Sequence, residues 1–249
     1  MSVTGKPKLE TLSHDFDYVF GPDSTNEEIY DLACAPLVQR ALNGQVGVIF
    51  AYGQTGSGKT HTVSGVLGHL SSTAIFSDLI TISFSYIEML GREIKDCLPG
   101  DGDDAEEDTN TSVNIGEDLN GAILIRNMKA HTVSNSEHLG RLIQRANATR
   151  ATAATSKNES SSRSHGVAII KVTDKLTGVV GSLYVIDLAG SESAKDSKDH
   201  DKARMNETKE INSSLMTLKS CIRARTAASG VGQGSTHIPY RSNKLTLLM

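Results

Sequence analysis

The apolar positions change period several times along the chain, and each change marks an element. Ser24-Thr25-Asn26-Glu27 has the form of a capping box ahead of Ile29, Leu32 and Leu37, which predicts a helix starting there. Pro36 is expected to kink that helix or to lie near its end, since it has no N–H. Val46 to Tyr52 is a short apolar run between Gly44 and Gly53, the pattern of a buried strand, and a helix should follow the next glycines. Apolar residues alternate from Ile80 to Ile87, predicting a strand within Leu79 to Leu90. Ser134-x-x-Glu137 is a second capping box, ahead of Leu139, Leu142, Ile143 and Ala146 at helical spacing. Val167 to Thr173 and Leu183 to Ile186 read as strands joined through a turn region at Thr177-Gly178. Ile211, Leu215, Leu218 and Ile222 fall on one helical stripe, with Lys209, Met216, Lys219 and Arg223 on a different face. Strands and helices interleave, so the pattern predicts one α/β domain around a central, partly parallel sheet.

Composition narrows the class. The 249 residues are 38% hydrophobic with no Trp, so a core can form and must be aliphatic. Collagen-like, disulfide-rich and wholly disordered chains are excluded. No apolar run approaches the roughly 18 residues of a membrane span, and Met1 to Leu12 is too polar for a signal peptide, so no membrane partner is expected. Cys34, Cys97 and Cys221 lie far apart, which indicates neither a zinc knuckle nor a disulfide framework. The net charge of −4 hides a division. Asp101 to Asp108 holds six acids and no base, inside an expected mobile loop from Pro99 to Thr111. Residues 209–249 carry six bases against the single acid Glu210. A basic end on an acidic protein suits an acidic partner, either nucleic acid or an acidic protein surface, or is simply a solvated face.

Gly53-Gln54-Thr55-Gly56-Ser57-Gly58-Lys59-Thr60 fits G-x-x-x-x-G-K-[ST] directly after the predicted strand. Glycines let successive N–H groups turn toward phosphate oxygens, and a helix N-terminus adds its dipole. Lys59 would face the β- and γ-phosphates, and Thr60 would place a hydroxyl on Mg²⁺. A chance match in a chain this long is expected roughly 0.01 times at average residue usage. Leu183-Tyr184-Val185-Ile186-Asp187 ends an apolar strand in a carboxylate suited to hold Mg²⁺ through water. Gly190 follows, where an amide could reach the γ-phosphate and flip when that group leaves. Asn158-Glu159-Ser160-Ser161-Ser162-Arg163-Ser164-His165 suits water ordering and phosphate contact, although alone it also reads as a serine-rich capping loop.

Together, Tyr52 to Thr62, Asn158 to His165 and Asp187-Leu188-Ala189-Gly190-Ser191-Glu192 resemble the P-loop, switch I and switch II of kinesin motor domains, in the same order. Phe16 to Phe20 is similar to the family's strand before its first helix. Glu210 to Leu215 looks like the start of the microtubule-facing relay helix, and His237 to Thr246 like the loop and helix after it. The resemblance implies a P-loop NTPase fold, a three-layer α/β/α arrangement with a central mixed sheet. It implies a microtubule-stimulated ATPase located on the cytoskeleton in the cytoplasm, with ATP and Mg²⁺ as its cofactors. The nucleotide would be held by Gly53 to Thr60 and Asn158, with His61 stacking on the adenine. Thr60, Ser162 and Asp187 would hold the metal. Ser161 and Ser162 would order water and close on the γ-phosphate, Gly190 would sense it, and Arg163 would pair with Glu192. Lys209, Lys219, Arg223, Arg241 and Lys244 would meet the acidic surface of tubulin.

The chain also departs from the family pattern. The family's first strand, with its Arg-x-Arg-Pro adenine clamp, has no counterpart in Met1 to Ser13, and the last strand, last helix and neck linker are missing after Met249. The expectation is a single partial motor domain over 1–249 in which Val46 to Tyr52 lies at an open sheet edge. Leu218 to Ala224 and the Thr55-Gly56-Ser57-Gly58 spelling look most like the microtubule-depolymerising kinesins, yet Lys8-Leu9-Glu10 does not match that group's Lys-Val-Asp loop. An impaired microtubule-binding fragment is the competing reading. A P-loop GTPase is disfavoured because Asn243-Lys244-Leu245-Thr246 lacks the Asp of a guanine reader. Nucleic-acid binding is disfavoured because Tyr240 is the tail's only aromatic residue. Oligomeric state and cargo stay open.

Overall fold

The computed structural model describes residues 13–74, 76–100, 112–155, 162–192, 202–228 and 237–249. The acidic segment 101–111, Asn158 and Ser161 lie outside them. A sheet of order β1-β8-β7-β2-β3 runs through the middle, with β6 (His131–Val133) paired to β2. Its strands are β1 (Val46–Ala51), β2 (Ile80–Leu90), β3 (Glu93–Asp96), β7 (His165–Asp174) and β8 (Val180–Asp187). Among the described residues only β1 and β8 are parallel; the remaining pairs are antiparallel, which makes the sheet mixed. Strands β7 and β8 are buried on both faces, and for that reason their sequences read as near-continuous apolar runs.

Each face of the sheet carries its own apolar core. One packs α1 (Asn26–Ile29), α2 (Ala35–Leu42), α3 (Lys59–Thr73) and α4 (Ser136–Thr155) around Leu67, Phe84, Leu139 and Ala146. The other packs α5 (Lys202–Ala228), α6 (Lys244–Leu247) and the hairpin β4 (Asn114–Glu117)–β5 (Ile123–Arg126) around Ile115, Ile169, Leu188 and Leu215. The expected three layers are present. Strand β1 has β8 as its one partner among the described residues, so its other edge is open there. Phe16 to Phe20 forms no strand, and Phe16, Tyr18 and Val19 are exposed.

Local signals shifted by one residue in places. The first cap is Thr25, whose hydroxyl accepts from Glu28 N while Glu28 returns a bond to the Thr25 amide, so the box is one position beyond the expected Ser24. The cap of α4 is Asn135, which accepts from His138 N at 2.8 Å; Ser134 bonds the His138 ring instead. A π-helical turn at Tyr30–Cys34 precedes Pro36, so the chain passes the proline by widening rather than by ending. In α5, Ile211, Leu215 and Leu218 are buried as expected, but Cys221 takes the last inward position and Ile222 is 39% exposed.

Candidate nucleotide site

The parallel register of β1 and β8 sets Ala51 opposite Asp187. Both strands therefore deliver their C-terminal ends to one edge, the usual ligand position of an open α/β sheet. The loop after β1 turns through left-handed glycines, with φ of +79° at Gly56 and +88° at Gly58, and α3 begins at Lys59. Fifteen helical residues aim their N-terminal dipole at this loop. Lys59 Nζ donates to the Gln54 carbonyl at 2.8 Å, which holds the ammonium over the loop. His61 is exposed beside it.

Asp187, at 1% exposure, is the hub of the floor. Its Oδ2 accepts from Thr60 Oγ1 at 2.8 Å and from Arg150 Nη1 at 2.6 Å. Its Oδ1 is buried with no hydrogen-bond partner among the described residues. A hydroxyl beside a carboxylate with an orphaned oxygen is a donor set that fits a hard divalent cation. Arg150, on α4, also donates to the Ser164 carbonyl at 3.0 Å, and its Nε lies 3.7 Å from Glu88. Ser164 in turn donates to Glu88 Oε1 at 2.6 Å. Burial works against the guanidinium charge of Arg150, but Tyr86, Asp187 and Glu88 outweigh it and push its pKa up. Burial drives the Tyr86 phenol up to about 12.

The switch segments meet through their backbones. Gly190 N donates to the Ser162 carbonyl at 2.8 Å, and Ser191 N donates to the Gly53 carbonyl at 3.0 Å. A Cβ on Gly190 would meet the Glu192 carboxylate and the Thr55 hydroxyl, so a larger residue there would displace that pair. Glu192 accepts from Thr55 N at 2.9 Å and also from the Thr55 hydroxyl. Partial burial would raise the Glu192 carboxyl, but the Thr55 bonds prevail and hold it low. The expected Arg163–Glu192 pair is not formed among the described residues. Thr55 offers an amide and a hydroxyl on one rigid loop, and those two bonds hold the carboxylate away from Arg163.

A profile of the Kinesin motor domain matches residues 2–249. The chain belongs to the kinesin motor domain family. Diatom spindle kinesin-1 of Cylindrotheca fusiformis is 35% identical across the whole chain, which spans 39% of that protein. Protein claret segregational of Drosophila melanogaster is 36% identical, again across the whole chain and 36% of its own length. Thus the chain spans about two-fifths of these kinesin relatives. A solved structure described as a fast kinesin, with implications for ATPase mechanism and interactions with microtubules, superposes with a TM-score of 0.71 at 30% identity. It covers 94% of this chain and 68% of that one. A structure titled kinesin 6 shares the fold, with a TM-score of 0.72 at 23% identity over 94% of this chain and 79% of that one.

The five bases of this kinesin domain that the resemblance set against tubulin fall into two groups. Lys209 and Arg223 are exposed on α5. The others are engaged within the molecule. Lys219 Nζ lies 5.0 Å from the centroid of the Tyr52 ring, and its hydrogen bond lowers the phenol pKa. Arg241 pairs with Glu117 at 2.9 Å, and Lys244 bonds the Ile115 carbonyl, so both pin β4. Three site residues were missed in the sequence. Glu88 is a charge inside an apolar strand, which was a usable signal. Arg150 carried none, because an Arg on a helix reads as ordinary surface. His165 was visible only as the end of a motif.

Proposed function

We propose that the chain is the catalytic core of an ATP-dependent microtubule motor, a microtubule-stimulated ATPase that drives movement along microtubules or remodels their ends. The observation that carries this reading is the Thr60–Asp187 hydrogen bond, set by the β1–β8 register, with the Asp187 oxygen left open beside it. Backbone amides of Gly53 to Gly58 and the Lys59 ammonium receive the phosphates, and Lys59 exchanges the Gln54 carbonyl for them. His61 stacks on the adenine from one side, with Asn158 contributing from the switch segment. Thr60, Ser162 and Asp187 would hold Mg²⁺, which would supply charge stabilisation on the transferred phosphoryl group. Arg150 holds the Asp187 carboxylate in place through its 2.6 Å hydrogen bond. Ser161 and Ser162 order the attacking water. Glu192 leaves Thr55 for Arg163 as the site closes, and Gly190 turns its amide from the Ser162 carbonyl toward the phosphate. Exposed Lys209 and Arg223 lead the contact with the acidic tubulin surface, while Lys219, Arg241 and Lys244 reach it only after releasing their internal partners.

Co-pelleting with microtubules, together with ATP turnover of wild type and Lys59→Ala, tests this. The expected result is nucleotide-dependent pelleting and turnover that rises with microtubules and is lost in the variant. Wild type that pellets but turns over no faster than Lys59→Ala would make the chain a binding module instead.

A further inference from the structure

His165 opens β7, is 3% exposed and has no role in the reading above. Its two ring nitrogens reach two different elements. The amide of Ala189 donates to Nδ1 at 3.0 Å. Nε2 lies 2.8 Å from Ser214 Oγ on α5, and the Ser214 hydroxyl donates to the Ile211 carbonyl at 2.6 Å. The donor inventory assigns the ring proton. An amide N–H can only donate, so Nδ1 accepts and is unprotonated. The single hydroxyl proton of Ser214 goes to Ile211, so Oγ accepts and Nε2 carries the proton. The ring is a neutral imidazole in one tautomer, and the donors run in one sense, from the Ala189 amide at the strand end through the ring to Ser214 and Ile211 on α5.

The residue touched at the strand end matters. Ala189 precedes Gly190, whose amide is held by the Ser162 carbonyl. Two successive amides, at 189 and 190, are therefore tied to the 162–165 segment, one through an oxygen and one through the imidazole. A turn of the Gly190 peptide releases the first bond and tilts its neighbour against the second. The ring is rigid and enclosed, so a tilt at Ala189 is felt at Ser214 rather than absorbed by water. Burial, with the positive Arg150 nearby, pushes the imidazole down to about 4, so the ring is neutral at neutral pH, and the hydrogen bonds select its tautomer.

We propose that His165 is a positioning residue that passes the orientation of the 189–190 backbone to α5 through Ser214. This rests on the nucleotide-switch reading above. The test is hydrogen exchange of the 208–222 stretch of α5, with Mg·ADP or a non-hydrolysable Mg·ATP analogue bound, in wild type, Ser214→Ala, Ser214→Thr and His165→Asn. Binding of a fluorescent nucleotide is measured on the same samples. Asn in place of His165 can still accept from Ala189 but cannot reach Ser214. Wild type is expected to exchange α5 differently with the two nucleotides. That difference should shrink about ten-fold in Ser214→Ala and His165→Asn and return in Ser214→Thr. A role in packing alone would lower the thermal midpoint of the variants and leave the difference intact. Folded Ser214→Ala that keeps the wild-type difference overturns the proposal, as does wild type that binds both nucleotides with identical α5 exchange. Wild type that binds neither nucleotide instead fails the functional reading, and the relay falls with it.

Discussion

Asp187 shows how one buried side chain carries several obligations at once. It receives Thr60 and Arg150 on one oxygen and keeps the other open, at 1% exposure. Arg150 is the counter-charge for both Asp187 and Glu88. Replacing it with Met leaves two buried carboxylates without a cation, which should cost about 3–5 kcal/mol in urea denaturation. A change below about 1 kcal/mol would mean the carboxylates are reached by water. His165 gives the chain a pH dependence of known sign. Its folded pKa is about 4 against an ordinary 6.5, chiefly because it is buried. Above pH ~6.5 both states are neutral and its contribution is complete. As pH falls from about 6.5 to about 4, the unfolded chain binds a proton that the folded one excludes, and stability drops by up to about 3 kcal/mol. Wild type should therefore lose more stability than His165→Asn between about pH 7.5 and about pH 5, and equal losses would remove His165 as the cause.

At the scale of elements, caps were legible as composition but not as position. Ser24 and Thr25 are both competent caps, as are Ser134 and Asn135. Which one closes the helix depends on where the chain turns in, and that is set by the packing of Ile29 and Leu139 on the core. Asn135→Ala should cost about 1 kcal/mol in thermal or urea unfolding, and Ser134→Ala no more than a few tenths. The reverse ranking would place the cap at Ser134 after all. The P-loop, β1, β8 and the α5 stripe were readable because each depends on local spacing. The Arg150–Asp187 pair was not, because it joins α4 to the end of β8 across 37 residues, and no local pattern encodes that approach.

At the scale of the molecule, β1 leads into the glycine-rich loop and also has an open edge. Val46 is 52% exposed and β8 is the strand's one partner among the described residues. An unpaired edge of apolar, β-prone sequence is a template for association. Val46→Lys should reduce self-association of the 249-residue chain, read by sedimentation or light scattering, with little change in thermal midpoint. Unchanged association would show that the edge is covered in solution. The tail bases make a related point. The resemblance placed five cations at a partner surface, and in the fold three of them also contact groups of the chain itself. A Lys or Arg in the sequence carries a charge but no direction. Whether it faces a partner or folds back depends on which carbonyl, ring or carboxylate the tertiary structure brings within its reach.

The division between sequence and fold follows from the range of the interactions. Short-range chemistry was complete in the sequence: the glycine-rich turn with Lys59 and Thr60, the apolar strand ending in Asp187, and the glycine after it. Those residues need only their neighbours along the chain to define what they can bind, and together with the 158–165 motif they carried the resemblance to the family. Tertiary structure decided the rest. It set Thr60 against Asp187 through the β1–β8 register, put Arg150 behind that carboxylate, and gave Glu192 to Thr55 instead of Arg163. It also lodged His165 between Ala189 and Ser214. Each of these is a contact between segments far apart in the chain, where geometry chooses among chemically equivalent partners.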